Sequence, residues 1–204
     1  MYTFIEGGIN INYKKQEIQN TINLINQHGK RVGILAFNLS KQLELPDKYW
    51  FLNYIAGRWH DFGKLAIPIY ILNKPAKLNS VECEIMKKHP IYSYALVDMC
   101  GFGMYTKKAI LYHHEDYCGS GYPFGLSKKD IPLPSRILRI CDVYDALTED
   151  RVYRPRFSCQ SALSLMDKDC DNGKLDYHIY SVFKSMMISK PFNTVSQIYK
   201  AGSW

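Results

Sequence analysis

Apolar residues recur along most of this chain at the three- and four-residue spacing that one face of an α-helix produces. The longest such stretch covers residues 16–43 and contains Ile18, Ile22, Ile25, Val32, Leu35, Ala36, Leu39 and Leu43. The same spacing predicts further helices over residues 53–60, 80–89, 92–100, 106–115, 135–148, 158–170 and 176–188. No segment shows the two-residue alternation of a half-buried strand, so the pattern predicts an all-α fold.

Two segments lack this spacing and are rich in residues that interrupt helices. Residues 64–79 contain Pro68 and Pro75, which predict an irregular crossover with at most one helical turn. Residues 116–134 hold several glycines and prolines, which predict a long loop of the kind that often carries function. We therefore divide the chain into a loose lead-in over residues 1–15, one helical domain over residues 16–190 and a tail over residues 191–204.

Composition places the chain among ordinary globular proteins, with 204 residues of which 47% are hydrophobic and 22% charged. A net charge of +7 predicts a surface that attracts anions such as nucleotides, nucleic acid or acidic membranes. The six cysteines form no C-x-x-C pair, which argues against a zinc ribbon and favours a reduced, intracellular protein. The sequence contains no signal-like leader and no run of the ~20 apolar residues that a membrane span needs. We expect a cytoplasmic protein without a membrane partner.

Five adjacent residues, His60-Asp61-Phe62-Gly63-Lys64, combine an imidazole, a carboxylate and an ammonium group. This combination suits a site that binds a metal ion together with a phosphate group. We predict that the helix ends at Gly63, which puts His60 and Asp61 in its last turn, where the partial negative charge of the carbonyls favours a cation. Taken alone, the pair also fits an imidazole packed beside Trp59 and a solvated carboxylate.

Histidines concentrate at predicted helix ends and on apolar faces, at His28, His60, His89, His113 and His114. Together with Asp61 and Asp142 they form a set of imidazoles and carboxylates without thiolates, which suits iron or manganese and, less exclusively, zinc. His28 lies on a buried stripe, where a single histidine is more often a hydrogen-bonded core residue than a ligand. Adjacent histidines on one helix point about 100° apart, so one member of the His113-His114 pair can instead be solvated.

Four sequence blocks follow one another along the chain: His60-Asp61-Phe62-Gly63-Lys64, then Lys88-His89-Pro90, then His113-His114-Glu115-Asp116-Tyr117-Cys118-Gly119-Ser120-Gly121-Tyr122-Pro123, then Asp142-Val143-Tyr144-Asp145-Ala146-Leu147-Thr148 with Arg151-Val152-Tyr153-Arg154. Their order and gaps resemble the HD-GYP family. Its members are bacterial metal-dependent phosphodiesterases that hydrolyse cyclic di-GMP. The resemblance covers residues 28 to 158. It implies an HD-domain helical bundle with a long irregular Gly-Tyr-Pro loop, and a catalytic domain over residues 16–190.

The resemblance also implies a role for each matching residue. The metal ligands would be His28, His60, Asp61, His89, His113, His114 and Asp142, with Asp61 bridging two ions. The substrate contacts would be Lys64, Tyr122, Arg151 and Arg154. Lys64 and Asp61 would be catalytic, since the lysine holds a phosphate and stabilises or protonates the leaving oxygen while a metal-bridging hydroxide attacks phosphorus. Asp145 would support the ligands without binding metal.

Two positions depart from the family's pattern. Leu24 stands where some members carry a glutamate that binds an additional metal, so we expect two divalent ions, iron or manganese. Cys118 stands where the family usually has an aspartate before Gly-x-Gly-Tyr-Pro. A carboxylate there can cap the glycine turn, so its loss leaves the rigidity of the loop open.

Two other functions fit the same residues. One is a phosphohydrolase of the HD type that acts on another nucleotide, including a mixed guanine-adenine cyclic dinucleotide. The other is a binding module that keeps the pocket without turnover and reports the ligand to a signalling protein partner; Cys118 favours it, and the intact ligand set with Lys64 opposes it. No nucleic-acid-binding motif occurs, so we expect a cyclic dinucleotide as the partner and no nucleic acid. A homodimer is compatible with the sequence.

Overall fold

The computed structural model describes residues 11–150 and 155–189 of the chain. Within these ranges the chain is helical and contains no strand, which confirms the predicted all-α fold. The α-helices are α1 (Ile11–Gln42), α2 (Asp47–Trp59), α3 (Ile69–Leu72), α4 (Ser80–Met86), α5 (His89–Met99), α6 (Met104–Leu111), α7 (Leu133–Thr148), α8 (Cys159–Asp171) and α9 (Tyr177–Ser189). Two 3-10 helices cover Phe62–Ala66 and Lys128–Asp130.

Several helix boundaries differ from the prediction, and the largest difference is that α2 begins at Asp47 and not at residue 53. Helix α1 begins at Ile11 and so enters the predicted lead-in. The helix predicted over residues 80–89 ends at Met86, and His89 instead opens α5 with Pro90 in its first turn. Proline is accepted there because the first turn of a helix leaves its N–H groups unpaired. Helix α6 ends at Leu111, so His113 and His114 follow it in irregular backbone and the angle expected for helical neighbours does not apply.

Gly63 lies inside the 3-10 helix Phe62–Ala66 and does not end a helix, contrary to the prediction. A Cβ atom at this position would overlap the carbonyl oxygen of His89 and the amide nitrogen of Ser93. The amide of Gly63 also donates a 2.7 Å hydrogen bond to Oγ of Ser93. Glycine is required here because it lets α5 approach the backbone that follows His60 and Asp61.

The core forms where α1 packs against α2 and α7. Backbones of α1 and α2 approach so closely that a Cβ atom on Gly57 would lie 2.6 Å from Cα of Gly33. The fully buried apolar side chains around this contact include Val32, Leu35, Leu39, Ala56, Ile137, Leu138, Cys141, Phe183 and Met187. Burial of such side chains provides most of the stability of a helical domain.

The same helices carry polar residues directly beside the core. His28 precedes the buried Val32 by one turn of α1, and Asp142 follows the buried Cys141 in α7. Well-packed helices therefore hold these side chains, so their backbone positions are fixed by the core. None of the helices in the described ranges is long and apolar enough to cross a membrane.

Candidate metal centre

Five separate segments bring all seven predicted metal ligands together. His28 comes from the middle of α1, Asp142 from α7 and His89 from the first residue of α5. The remaining ligands follow the ends of helices, namely His60 and Asp61 after α2, and His113 and His114 after α6. The structure arranges them as two groups, Asp61 with His89, His113 and His114, and His28 with His60 and Asp142, whose ligand atoms lie within 4.8 Å of one another in each group.

Asp61 lies between the two groups and is almost completely buried. Its Oδ2 atom is 3.3 Å from Nε2 of His28 and 3.6 Å from Nε2 of His60. Its Oδ1 atom is 3.2 Å from Nε2 of His89 and 4.0 Å from Nε2 of His113. Each oxygen of the Asp61 carboxylate therefore faces a different group of imidazoles. A carboxylate that bridges two cations has the same arrangement.

Three imidazoles are oriented by the backbone that precedes them. Nδ1 of His60 donates to the carbonyl of Gly57 at 2.8 Å, and Nδ1 of His89 donates to that of Met86 at 2.8 Å. Nδ1 of His113 likewise donates to the carbonyl oxygen of Ile110, at 2.6 Å. A ring that carries its proton on Nδ1 turns the lone pair of Nε2 towards the cluster, and histidine ligands of metals are commonly fixed in this way.

The Nε2 atoms are closer together than neutral rings favour without a cation. Nε2 of His28 lies 3.2 Å from that of His60, and Nε2 of His89 lies 3.4 Å from that of His113. The Oδ1 atom of Asp61 is buried and accepts no hydrogen bond from the described part of the chain. Converging lone pairs beside an unsatisfied carboxylate oxygen fit a divalent cation, because it supplies the charge that these atoms lack.

Burial and charge shift the pKa of several members of the cluster strongly, His28 and Asp61 among them. Burial lowers the pKa of His28, but hydrogen bonds to Asp142, Asp145 and Asp61 outweigh it and raise this pKa well above the usual value. Burial raises the pKa of Asp61, but the charge of Lys64 and the neighbouring histidines lower it well below its usual value. Both shifts favour positive charge beside Asp61, whereas burial lowers the pKa of His113 and of His114 well below the usual value and so favours their neutral rings.

Lys64, which we predicted to be catalytic together with Asp61, contacts that residue directly. Its Nζ atom lies 2.6 Å from Oδ2 of Asp61, and 27% of its side chain is exposed. Lys64 is thus paired with the buried carboxylate while its own side chain stays partly exposed to solvent.

Tyr122 of the Gly-Tyr-Pro loop also lies at the cluster. Its ring stacks on that of His114, with centroids 4.7 Å apart and an angle of 25° between the planes. The amide of Tyr122 donates to the carbonyl of His114 at 3.1 Å. The loop therefore returns to the histidines from which it starts, and the ring of Tyr122 borders the His-Asp cluster.

Two buried carboxylates that the sequence did not single out for this task hold the loop. Glu115 accepts the amides of Phe124 at 2.8 Å and of Leu126 at 3.0 Å, one on each oxygen. Asp116 accepts the hydroxyl of Ser120 at 2.9 Å and is paired with Arg139 of α7 at 2.7 Å. Glu115 and Asp116 thus hold the Gly-Tyr-Pro loop in place, although position 118 has a cysteine and not the aspartate that could cap the glycine turn.

Sequence reasoning also missed Arg31 and Arg139 at the site. Arg31 is buried beside Asp145, and Arg139 reaches both Asp116 and His114. A signal for Arg31 existed, since a charged residue interrupts an apolar stripe one turn after His28. Arg151 and Arg154, which we predicted to contact the substrate, lie outside the described residues.

Comparison with known proteins agrees with this geometry. The sequence model of the HD domain family matches residues 12–179. The chain is 38% identical over 157 residues to a cyclic di-GMP phosphodiesterase of Pseudomonas aeruginosa, with 76% of this chain and 37% of that protein covered. It is 39% identical over 157 residues to a 3'3'-cGAMP-specific phosphodiesterase of Vibrio cholerae, with 76% and 36% covered. The chain thus spans less than two fifths of the length of either relative.

Two solved structures share the fold at low sequence identity. An HDG"Y"P protein from Bdellovibrio bacteriovorus has a TM-score of 0.66 and 22% identity, with 87% of this chain and 59% of that chain covered. The HD domain of an L. monocytogenes phosphodiesterase in complex with cyclic di-AMP has a TM-score of 0.65 and 14% identity, with 85% and 92% covered. Because the HD domain match covers most of the sequence, and the helices assemble the His-Asp cluster that the motifs predicted, the chain belongs to the HD domain family.

Proposed function

We propose that this chain is a metal-dependent phosphodiesterase that hydrolyses a 3',5'-cyclic dinucleotide, with cyclic di-GMP as its substrate. The observation that carries this proposal is the position of Asp61, whose two carboxylate oxygens face two different imidazole groups. A carboxylate in this position can bridge two metal ions, and sites with two metal ions occur in many enzymes that hydrolyse phosphate esters.

The ligand set favours iron or manganese, because it combines imidazoles with carboxylates and contains no thiolate. Two such ions, when bound, neutralise phosphate oxygens and provide hydroxide at neutral pH. His28, His60 and Asp142 would hold one ion, and His89, His113 and His114 the other, with Asp61 shared between them. The number and the identity of the ions are part of this proposal.

Lys64 supports phosphodiester chemistry in particular. In hydrolysis, water adds to one phosphorus, one bond from that phosphorus to a ribose oxygen breaks, and the cyclic dinucleotide opens to the linear form. The leaving oxygen must gain a proton, and the ammonium of Lys64, whose side chain is partly exposed beside Asp61, can supply it. The ammonium also attracts the phosphate before reaction.

The substrate class follows from charge and from the relatives. A net charge of +7 favours an anionic ligand, and Arg151 and Arg154 would bind the second phosphate through their planar donor groups. Tyr122 would contact a base or a ribose. The relatives carry the names of cyclic di-GMP and 3'3'-cGAMP phosphodiesterases, so the choice of bases needs a direct test. The cytoplasmic location, a homodimer and a signalling protein partner stay predictions.

The test is to incubate metal-free, manganese-loaded and iron-loaded protein separately with cyclic di-GMP and with 3'3'-cGAMP, and to separate the products by chromatography. We expect the linear dinucleotide from cyclic di-GMP with a loaded protein only, and none from an Asp61→Ala variant. Faster conversion of 3'3'-cGAMP would replace the substrate in this proposal. Tight binding of both dinucleotides without any product would instead support a binding module.

A further inference from the structure

The ring of His114 differs from the other four imidazoles of the cluster in what its second nitrogen contacts. In those four rings, Nδ1 donates to a backbone carbonyl or lies against the carboxylate of Asp145. Nδ1 of His114 instead lies 3.5 Å from Nη1 of Arg139. Oδ2 of Asp142 is 4.0 Å away from this nitrogen, beyond hydrogen-bonding distance. Among the described residues, the partner of Nδ1 in His114 is thus a donor and not an acceptor.

Arg139 is fixed in this position by a second contact. Its Nε and Nη2 atoms donate to Oδ1 of Asp116 at 3.2 Å and 2.7 Å. Asp116 is 7% exposed, and its other oxygen accepts the hydroxyl of Ser120. The guanidinium cannot turn away from His114 without leaving a buried carboxylate unpaired, which is strongly unfavourable.

This contact opposes metal binding through either nitrogen of His114. If the ring binds an ion through Nε2, its proton must lie on Nδ1, where it faces the N–H groups of Arg139. If the ring binds through Nδ1, the ion lies beside a guanidinium that is always charged. The rings of His89 and His113, in the same group of ligands, have no such conflict because a carbonyl accepts their Nδ1 proton.

We propose that Arg139 makes His114 the weak, exchangeable ligand of its group, and that Asp61, His89 and His113 hold that ion. The proposal rests on the metal binding of the proposed function and specifies which ligand is lost most easily. Catalytic metal sites usually keep one coordination position for water or substrate. A weakly held His114 provides that position at the centre bordered by Tyr122.

The test uses Mn²⁺ binding to the metal-free full chain, followed by titration and by elemental analysis after desalting. Two adjacent histidines provide a matched pair of variants. Removing a hydrogen-bond partner of a ligand histidine lowers metal affinity about 10- to 100-fold, so we expect His113→Ala, which removes the ligand itself, to weaken binding of one ion by at least this factor. We expect His114→Ala to change it by less than about threefold.

Arg139→Gln tests the cause. Its amide can still donate to Asp116 but carries no charge, so we expect Mn²⁺ to bind about tenfold more tightly. In the double variant Arg139→Gln/His114→Ala this gain should disappear, because it acts through His114. Arg136→Gln is the matched control, since Arg136 lies one turn earlier in α7 and pairs with the buried Asp176. Asp116→Asn/Arg139→Gln repeats the test without a buried carboxylate that could unfold the protein.

Two results would overturn the inference: an equal loss of Mn²⁺ affinity in His113→Ala and His114→Ala, or a gain from Arg139→Gln that persists without His114. Failure of the proposed function looks different. Wild-type protein that binds no Mn²⁺ contradicts both proposals, whereas the expected binding pattern in a protein that does not hydrolyse cyclic dinucleotides contradicts the function alone.

Discussion

Nδ1 of His28 lies 2.7 Å from Oδ2 of Asp145, in helices that are far apart in the sequence. Arg31 donates to both oxygens of the same carboxylate, at 2.7 Å and 3.0 Å. Both oxygens of Asp145 are therefore engaged by His28 and Arg31, and Asp145 is not among the residues grouped as metal ligands. It holds the ring of His28 so that Nε2 faces Asp61 and Asp142, at 3.3 Å and 3.1 Å.

The Asp145→Asn variant should bind metal more weakly without losing a ligand. Its amide keeps one acceptor oxygen for either His28 or Arg31, so the ring of His28 loses part of its support. We expect a 10- to 100-fold lower Mn²⁺ affinity, the usual effect of removing such a partner of a ligand histidine. Titration of the metal-free protein measures it. Asp98→Asn, at an exposed aspartate paired with Lys107, is the control. Equal affinities in both variants would show that Asp145 has no such role.

Asp61→Asn should affect both ions at once. The amide has one acceptor oxygen and no negative charge, so it cannot bridge two cations. We expect loss of most bound metal, whereas His89→Ala should lower the content of one ion and leave the second group, with His28 and His60, largely loaded. Elemental analysis per polypeptide distinguishes these outcomes. If Asp61→Asn removes only one ion, the bridging role is wrong.

Glu115→Gln should destabilise the protein by loosening the Gly-Tyr-Pro loop. The carboxylate accepts one amide on each oxygen, and glutamine retains only one acceptor for Phe124 and Leu126. Loss of a hydrogen bond to a charged, buried group lowers the free energy of unfolding by about 1.5–3 kcal/mol. Urea denaturation of the metal-free protein measures this change. The exposed Glu84→Gln serves as the control, and an unchanged midpoint for Glu115→Gln would contradict the prediction.

Leu24→Glu should create a place for an additional ion. Leu24 lies one turn before His28 in α1 and is 66% exposed, so a glutamate fits there without being buried and shares a face of the helix with His28. In the wild type, no carboxylate at this position balances a third divalent charge against two others. We expect two ions per wild-type chain and a rise towards three in the variant, measured by elemental analysis with anomalous scattering. Three fully occupied ions in the wild type would refute this expectation.

The sequence alone determined which segments are helical and which residues carry the chemistry. Periodicity reports which side of a segment is buried, so it predicted α1, α7, α8 and α9 to within a few residues of their ends. Prediction failed at His89 and at His113-His114, where helix ends depend on neighbours. Pro90 lies in the first turn of α5 and does not end α4. Glycine is needed at position 63 because Ser93 approaches its backbone closely, not because a helix stops there.

Only the tertiary structure decided how the ligands converge and which atoms they present. His28 and Asp145 are 117 positions apart, and no local spacing encodes their contact. The choice between Nδ1 and Nε2 in each histidine depends on whether a carbonyl, a carboxylate or the guanidinium of Arg139 lies beside the ring. Motifs thus specify the types of ligand because those are chemical properties of residues, whereas packing specifies orientation because hydrogen-bond partners come from other helices.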